Sequence, residues 1–448
     1  MNVSMKYGKT GLSLDLPGDI DVTLIQKKAM SVLKDPEGAI KAAFANPVNC
    51  KALRDEAKSC RSCCILICDI TRPVPNGLIL TPLIKELIQA GIGPDSITVL
   101  VATGLHRPNE GDELRELVGS DWVLDTVTVA NHFARRDDDH EYLGTTSAGI
   151  EARLDRRFVQ ADLRIVVGLV EPHFMAGYSG GRKIIAPGVA HEKTIRAFHC
   201  ARVLEDSRAA NCIIEGNPLH TAQMEIVQMV GRCLAVNTVI DEDRRISFVN
   251  FGEIEESHLE AVSFVRPYAE IQLNARFKTV VTSSAGYPLD KTYYQTVKGM
   301  VGALDILEPG GDLIIVSACS EGMGSPEYAE AQVCLTDKGP EGFLRGILEK
   351  KYAAIDEWQT EMQVKAMKRA NIFLYTEGLT KDQQALTGVT IVESPLAAVM
   401  ESVKARGDRR VAVIPEGPYV IPLFVPGLAP EAFPLSGKVA AKLAYAKG

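Results

Sequence analysis

Leu163-Arg-Ile-Val-Val-Gly-Leu-Val170, followed at once by Glu171-Pro-His173, reads as a strand buried on both faces. Its apolar residues run on almost without interruption instead of alternating, the pattern of a parallel strand covered by helices above and below. The polar exit matters as much. Open α/β sheets bind ligands at the carboxyl ends of their strands, which is where Glu171, Pro172 and His173 stand.

The same unit recurs outward along the chain. Cys64–Cys68 reads as a buried strand ending at Asp69, with Thr71, Arg72 and Pro73 just beyond it. Leu80–Ala90 has the apolar spacing of an amphipathic helix stopped by Gly91, and Ser96–Ala102 is the next strand, leaving through Thr103-Gly-Leu-His106. Before these, Pro36–Ala57 carries helical spacing broken near Pro47. Later segments continue the alternation: strands at Thr279–Thr282, Asp312–Ala318, Asn371–Tyr375, Gly388–Ile391 and Arg410–Ile414, and helices with exposed charges at Phe343–Tyr352 and Glu357–Met367. The pattern changes near Arg266, which divides the chain into an N-terminal cofactor-binding and catalytic domain (1–266) and a C-terminal domain contributing substrate contacts (267–430). A terminal segment (431–448) holds a short helix at Gly437–Ala446 that packs back on one of the lobes. The expected fold is two α/β lobes with Rossmann-like parallel sheets and an active-site cleft between them.

Composition agrees with two lobes. A chain of 448 residues with 46% hydrophobic and 24% charged residues is too long for one core and too apolar for disorder. There are 49 basic against 57 acidic residues, a net charge of -8, and no basic face to gather phosphates, which argues against nucleic-acid binding. The first residues lack the layout of a signal peptide and no apolar run reaches membrane-spanning length, so a soluble cytoplasmic enzyme is the default reading. Ten cysteines include a CxxC but no second CxxC or histidine at zinc-site spacing, and Cys64 and Cys68 read as small strand hydrophobes.

Candidate chemistry gathers at the strand exits. His106 and His173 each leave the end of a strand, where they read either as acid/base groups or as hydrogen-bonded loop residues. From Phe174 the chain continues Met-Ala-Gly-Tyr-Ser-Gly-Gly-Arg-Lys183, a glycine loop that is neither a Walker A sequence nor GxGxxG. Lys183 reads either as a phosphate-binding cation or as an amine able to bond covalently to a carbonyl-derived cofactor. His199 follows the helical stretch Glu192–Phe198 as a metal ligand or an ordinary helix-end histidine. In the second lobe, Tyr294, Gln295 and Lys298 share a helix face and deliver a phenol, an amide and an ammonium together, or simply a solvated face. Trp358 reads first as a packing residue.

In this order, Asp69-Ile-Thr-Arg-Pro-Val-Pro75, Ala102-Thr-Gly-Leu-His-Arg-Pro108, Glu171 to Lys183, Phe198-His-Cys200, Gly286-Tyr-Pro-Leu-Asp290 and Tyr294-Gln-Thr-Val-Lys-Gly299 resemble the nickel-dependent lactate racemase family. The resemblance runs from Asp69 to about Met300 and thins afterward. It implies a nickel-pincer nucleotide, a pyridinium-3-thioamide-5-thiocarboxylic acid mononucleotide, linked through Lys183 and with His199 completing the nickel coordination. Asp69, Thr71, Ser179, Gly180, Gly181 and Arg182 would lie beside it. The reaction implied is interconversion of 2-hydroxy acid enantiomers through a planar 2-keto acid, with His106 and His173 as bases on opposite faces. Arg72, Gln295 and Lys298, with Tyr294, would hold the carboxylate and carbonyl, Trp358 would wall the site, and Asp69 would orient its neighbours.

The partners implied are a small 2-hydroxy acid, separately encoded enzymes that build the cofactor, and a second copy of the chain as a homodimer, with no nucleic acid and no membrane. Malate, a longer aliphatic or aromatic 2-hydroxy acid, or an aldonate stand as alternative substrates. A non-catalytic nickel- or nucleotide-binding protein is the alternative of another class.

Overall fold

The computed structural model describes residues 1–427. The chain forms two compact units: a middle unit, Ala29–Pro267, and a flanking unit assembled from Met1–Lys28 and the chain from Tyr268 onward.

The middle unit is built on six strands in the order Ile246–Glu253, Leu234–Ile240, Leu163–Leu169, Cys63–Cys68, Ile97–Ala102 and Thr128–Asn131. All neighbours run parallel except the edge strand Ile246–Glu253. Register explains the apolar runs. Ile65 lies opposite Val99 on one side and Ile165 on the other, and Ile67 opposite Val101 and Val167, so each makes an unbroken apolar row across three strands. Those rows pack on Ile79, Leu80, Leu83, Ile84 and Leu87 of the helix Asn76–Gln89. Each such buried side chain contributes roughly 1.5–3 kcal/mol, and truncating Ile165 to alanine would cost about 2–5 kcal/mol. That helix starts four residues before the expected Leu80 because Asn76 is buried and donates from Nδ2 to the Leu117 carbonyl at 3.0 Å.

Strand order places the ligand end. From Cys63–Cys68 the chain steps outward through Ile97–Ala102 to Thr128–Asn131, then returns to lay Leu163–Leu169 on the other side of Cys63–Cys68. The direction of winding reverses between these two central strands, and the loops beginning at Asp69 and Val170 open at that reversal, where doubly wound sheets hold ligands.

The flanking unit repeats the plan with six parallel strands in the order Thr390–Ile391, Ala370–Tyr375, Leu307–Val316, Phe277–Ser283, Arg410–Ile414 and Asp21–Leu24. Its reversal falls between Phe277–Ser283 and Arg410–Ile414.

Three features differ from the sequence reading. Residues 1–28 do not join the first domain: Asp21–Leu24 pairs with Arg410–Val413, and the hairpin Asn2–Met5 with Leu12–Asp15 packs Val3, Met5 and Leu14 against Val281, Ile314 and Val411. Such pairing spans most of the chain, and local periodicity carries no trace of it. The helix Glu357–Arg369 does not expose its charges as expected. It is sandwiched between the helices Tyr293–Gly302 and Pro326–Leu348, and Glu357, Gln359, Thr360, Glu361 and Gln363 are all buried. Gln332 Nε2 donates to Thr360 Oγ1 and Gln363 Oε1, and Glu357 pairs with Lys350, so polar bonds replace apolar packing there. Finally, Pro326–Leu348 is one long element broken at Gly339, where φ is +69°. The expected C-terminal helix and the segment 431–448 lie outside the described residues. Among the described residues no helix is long and apolar enough to cross a membrane.

Candidate active site

Three adjacent strands of the middle unit deliver the candidate groups. Asp69 leaves Cys63–Cys68, His106 follows Ile97–Ala102, and Glu171 and His173 follow Leu163–Leu169. Asp69 is 5% exposed, and its two oxygens have separate tasks. Oδ1 accepts from the Thr71 amide at 3.1 Å and the Thr71 hydroxyl at 2.5 Å, while Oδ2 takes His106 Nδ1 at 2.5 Å. Burial pushes this carboxyl up, but the hydrogen bonds from His106 and Thr71 and the charge of Arg72 outweigh it and hold the group below the usual carboxylate range. A carboxylate at Nδ1 puts the neutral ring's proton there, so Nε2 of His106 is an acceptor.

His173 is set the other way. Its Nδ1 accepts from the Met175 and Ala176 amides at 3.3 and 3.2 Å, which places the neutral ring's proton on Nε2. The two rings thus show opposite resting faces, an acceptor on His106 and a donor on His173. Arg72 ties the two central strand exits together, its Nε 3.9 Å from Glu171 Oε1 across the reversal.

In the glycine loop the side chains hold the loop itself. Ser179 Oγ donates to the Leu169 carbonyl at 2.7 Å and accepts from the Glu171 amide at 3.1 Å. Arg182, expected beside a nucleotide, is buried beneath the loop. Its Nη2 donates to the Ala176 and Tyr178 carbonyls at 2.8 and 3.2 Å, its Nη1 lies 3.1 Å from His258 Nε2, and burial pushes its pKa down to about 9. Gly181 has φ +49° and the space at its missing Cβ is filled by the His258 ring, so both backbone and packing require glycine there.

Lys183 follows on the short helix Arg182–Ile185. Burial, then the charge of Arg72, lowers its pKa to about 8, against the pull of Cys68 and Asp69. An amine neutral near pH 8 is a nucleophile. His199 closes the helix Glu192–Phe198, where Nδ1 donates to the Ile195 carbonyl at 2.8 Å and the ring lone pair falls on Nε2. Burial lowers its pKa to about 4, opposed by that carbonyl and helped by Lys183. A neutral imidazole with its lone pair on one defined nitrogen is the form that ligates metal. The two residues therefore fit a covalently attached, metal-bearing cofactor.

In the flanking unit, Tyr294, Gln295 and Lys298 lie on the helix Tyr293–Gly302, directly after Phe277–Ser283 and its loop. Trp358 Nε1 donates to Tyr294 Oη at 3.2 Å, and the buried Gln359 Nε2 donates to the Tyr294 carbonyl at 2.6 Å. Gln295 Oε1 is shielded from solvent without a hydrogen-bond partner among the described residues, an amide oxygen available to a ligand. Sequence reasoning did not single out Gln359, which lies in a helix expected to carry exposed charges. It also missed His191, whose role emerges only from its partners.

A doubly wound α/β unit carrying a carboxylate-backed histidine, a buried lysine of lowered pKa and a histidine held neutral by burial, joined in one chain to a second α/β unit, describes a two-domain α/β enzyme. The sequence pattern of the lactate racemase N-terminal domain matches residues 7–211, and that of the lactate racemase C-terminal domain matches residues 273–422. The lactate racemase of Thermoanaerobacterium thermosaccharolyticum is 30% identical over 428 residues, covering 94% of this chain and 99% of the relative. The lactate racemase of Lactiplantibacillus plantarum is 28% identical over 387 residues, covering 85% and 90%. The solved structure of the T. thermosaccharolyticum lactate racemase apoprotein superposes with a TM-score of 0.87 at 29% identity, covering 94% of this chain and all of that one. A Thermotoga maritima protein shares the fold alone, with a TM-score of 0.62 at 17% identity. The chain belongs to the lactate racemase family.

Proposed function

We propose that this protein racemises a 2-hydroxy acid with a nickel-pincer nucleotide held by Lys183 and His199, lactate being the first substrate to test. The observation that carries the reading is the Asp69–His106 pair, set at the same strand reversal as Arg72 and within electrostatic reach of the Lys183 amine. When bound, the cofactor supplies an acceptor and donor of hydride.

The chain's residues handle the proton and the carboxylate. Removing a proton from the carbon beside a carboxylate would put a second negative charge next to the first, whereas taking the hydroxyl proton while the carbon is oxidised leaves a neutral ketone. For one enantiomer, His106 Nε2 accepts that hydroxyl proton, and Asp69 stabilises the imidazolium that forms. His173 re-protonates the oxygen in the product, which requires its ring to enter the cycle as an imidazolium, with a second proton at Nδ1 in place of the Met175 and Ala176 amide bonds; for the opposite enantiomer the two rings exchange parts. Arg72 makes the carboxylate contact expected of a planar guanidinium, while the flanking unit by itself offers a point charge at Lys298 and an amide at Gln295. Trp358 and Tyr294 of that unit are joined by their hydrogen bond.

The test is direct. Protein expressed with cofactor-building enzymes is given enantiopure lactate, malate and larger 2-hydroxy acids, and products are resolved by chiral chromatography. Racemisation of at least one acid is expected. Nickel-loaded protein that turns over none of them would refute the proposal.

A further inference from the structure

The helix Glu192–Phe198 carries a histidine at each end. At its start, His191 Nδ1 accepts from the Lys193 amide at 3.1 Å. At its finish, His199 Nδ1 donates to the Ile195 carbonyl at 2.8 Å. Every helix leaves amides unpaired at its N-terminus and carbonyls at its C-terminus, and in seven residues those ends make up most of the element. The direction of such a short rod is set by how its first turn is fastened.

His191 can accept at Nδ1 only while its proton is on Nε2, and Asp137 keeps it there: Nε2 donates to Asp137 Oδ1 at 2.7 Å. The backbone entering the helix is tied down around this ring. The His191 amide donates to the Arg153 carbonyl and the Glu192 amide to the Ala134 carbonyl, both at 2.9 Å, and His132 Nε2 donates to the Ala190 carbonyl at 3.1 Å. The His191 ring meets His140 edge-on at 4.9 Å. His191 is 1% exposed, and the active-site reading gives it no task.

We infer that His191, held in one tautomer by Asp137, is a positioning residue for His199 and fixes the angle at which that imidazole meets nickel. The inference rests on the reading of His199 as the nickel ligand. Eight residues separate the two rings, about 12 Å of helix at 1.5 Å per residue, so a small tilt at the cap becomes a displacement of the ligand. Outer partners of metal ligands commonly change metal affinity about 10- to 100-fold when removed.

Three variants separate a positioning role from a merely structural one. His191→Ala removes the cap. His191→Asn restores a side-chain oxygen able to cap the same amide. Asp137→Ala, at an exposed carboxylate, frees the tautomer without cutting into the core and stands in if His191→Ala fails to fold. Hydrogen exchange over residues 193–199 is read on the cofactor-less chain, and nickel release to EDTA and the near-ultraviolet and visible spectrum on the loaded one. His191→Ala is expected to expose the helix amides and release nickel roughly tenfold faster with a shifted spectrum, His191→Asn to restore both, and Asp137→Ala to fall between. Faster amide exchange with wild-type nickel release and spectrum would overturn the inference, as would failure of His191→Asn to restore retention. Wild-type protein that holds no nickel would overturn both this inference and the functional reading beneath it. Failure of the inference alone is distinct, because there the wild type holds nickel and His191→Ala holds it equally well.

Discussion

Asp69 Oδ2 and His106 Nδ1 lie 2.5 Å apart, the carboxylate buried and the ring 62% exposed. Both donors of Thr71 occupy the other carboxylate oxygen, so Asp69 cannot turn. A fixed acceptor therefore backs an accessible ring, an arrangement that controls which nitrogen carries the proton.

Asp69→Asn tests that control. The two Thr71 donors will hold the amide oxygen, leaving the amide NH2 to face His106 and favour the tautomer protonated on Nε2. We expect kcat/KM to fall on the order of 100-fold or more with nickel content unchanged, measured on loaded enzyme by chiral chromatography. Activity within a few-fold of wild type would remove Asp69 from the mechanism.

His106→Ala and His173→Ala should each lower turnover by about 10²- to 10⁴-fold. Enantiomers have equal free energies, so kcat/KM must fall by the same factor in both directions, and only kcat and KM taken separately can reveal which ring serves which enantiomer. Initial rates from each pure enantiomer provide the check. Near-normal turnover in either variant, with the cofactor loaded, would strike that ring from the pair.

Lys183→Arg keeps a cation but loses the amine. Intact-mass analysis after expression with the cofactor-building enzymes should show an adduct on wild type and none on the variant, with nickel lost in parallel. An adduct that persists in Lys183→Arg would place the linkage elsewhere.

Asp155 provides a pH signature in the stability of the middle unit. Burial pushes its carboxyl up, but hydrogen bonds from Arg157 and His132 outweigh this and hold it well below the usual range. Because the folded value is depressed, the unfolded chain binds the proton more readily. The stabilisation is complete above the unfolded value of about 3.9 and is lost as pH falls below it toward the folded value. Asp155→Asn should flatten this acid dependence and cost about 3 kcal/mol at pH 7, the low end for breaking a buried pair because Arg157 keeps water contact. Urea unfolding between pH 3 and 7 reads both effects, and an unchanged acid limb would reject the assignment.

The strands around Ile65, Val99 and Ile165 were legible because burial on both faces leaves an unmistakable apolar run, and their exits marked Asp69, His106 and His173 for the same reason. The proposed nickel, lysine linkage and residue roles rest on motif resemblance, since nothing in the spacing of Lys183 and His199 alone demands them. Distant pairing was not legible, as the union of Asp21–Leu24 with Arg410–Ile414 shows. Burial of polar faces was equally hidden, since Gln359 and Gln363 look solvated until the helices that cover them are placed. His191 escaped because a cap histidine is recognised by its partners on Asp137 and Lys193, not by its neighbours in sequence.

Because the flanking sheet takes its edge strand from Asp21–Leu24 and its neighbour from Arg410–Ile414, the two are synthesised nearly four hundred residues apart. On the ribosome the middle unit can complete its core as soon as Pro267 has cleared the exit tunnel, while the first strands of the chain must wait for almost the last. Pairing of such remote segments is slow. Nascent protein should therefore pass through a stage with one finished half and one unfinished half, and shortening the chain before Arg410 should leave Asp21–Leu24 without its partner while sparing the half that carries Lys183 and His199.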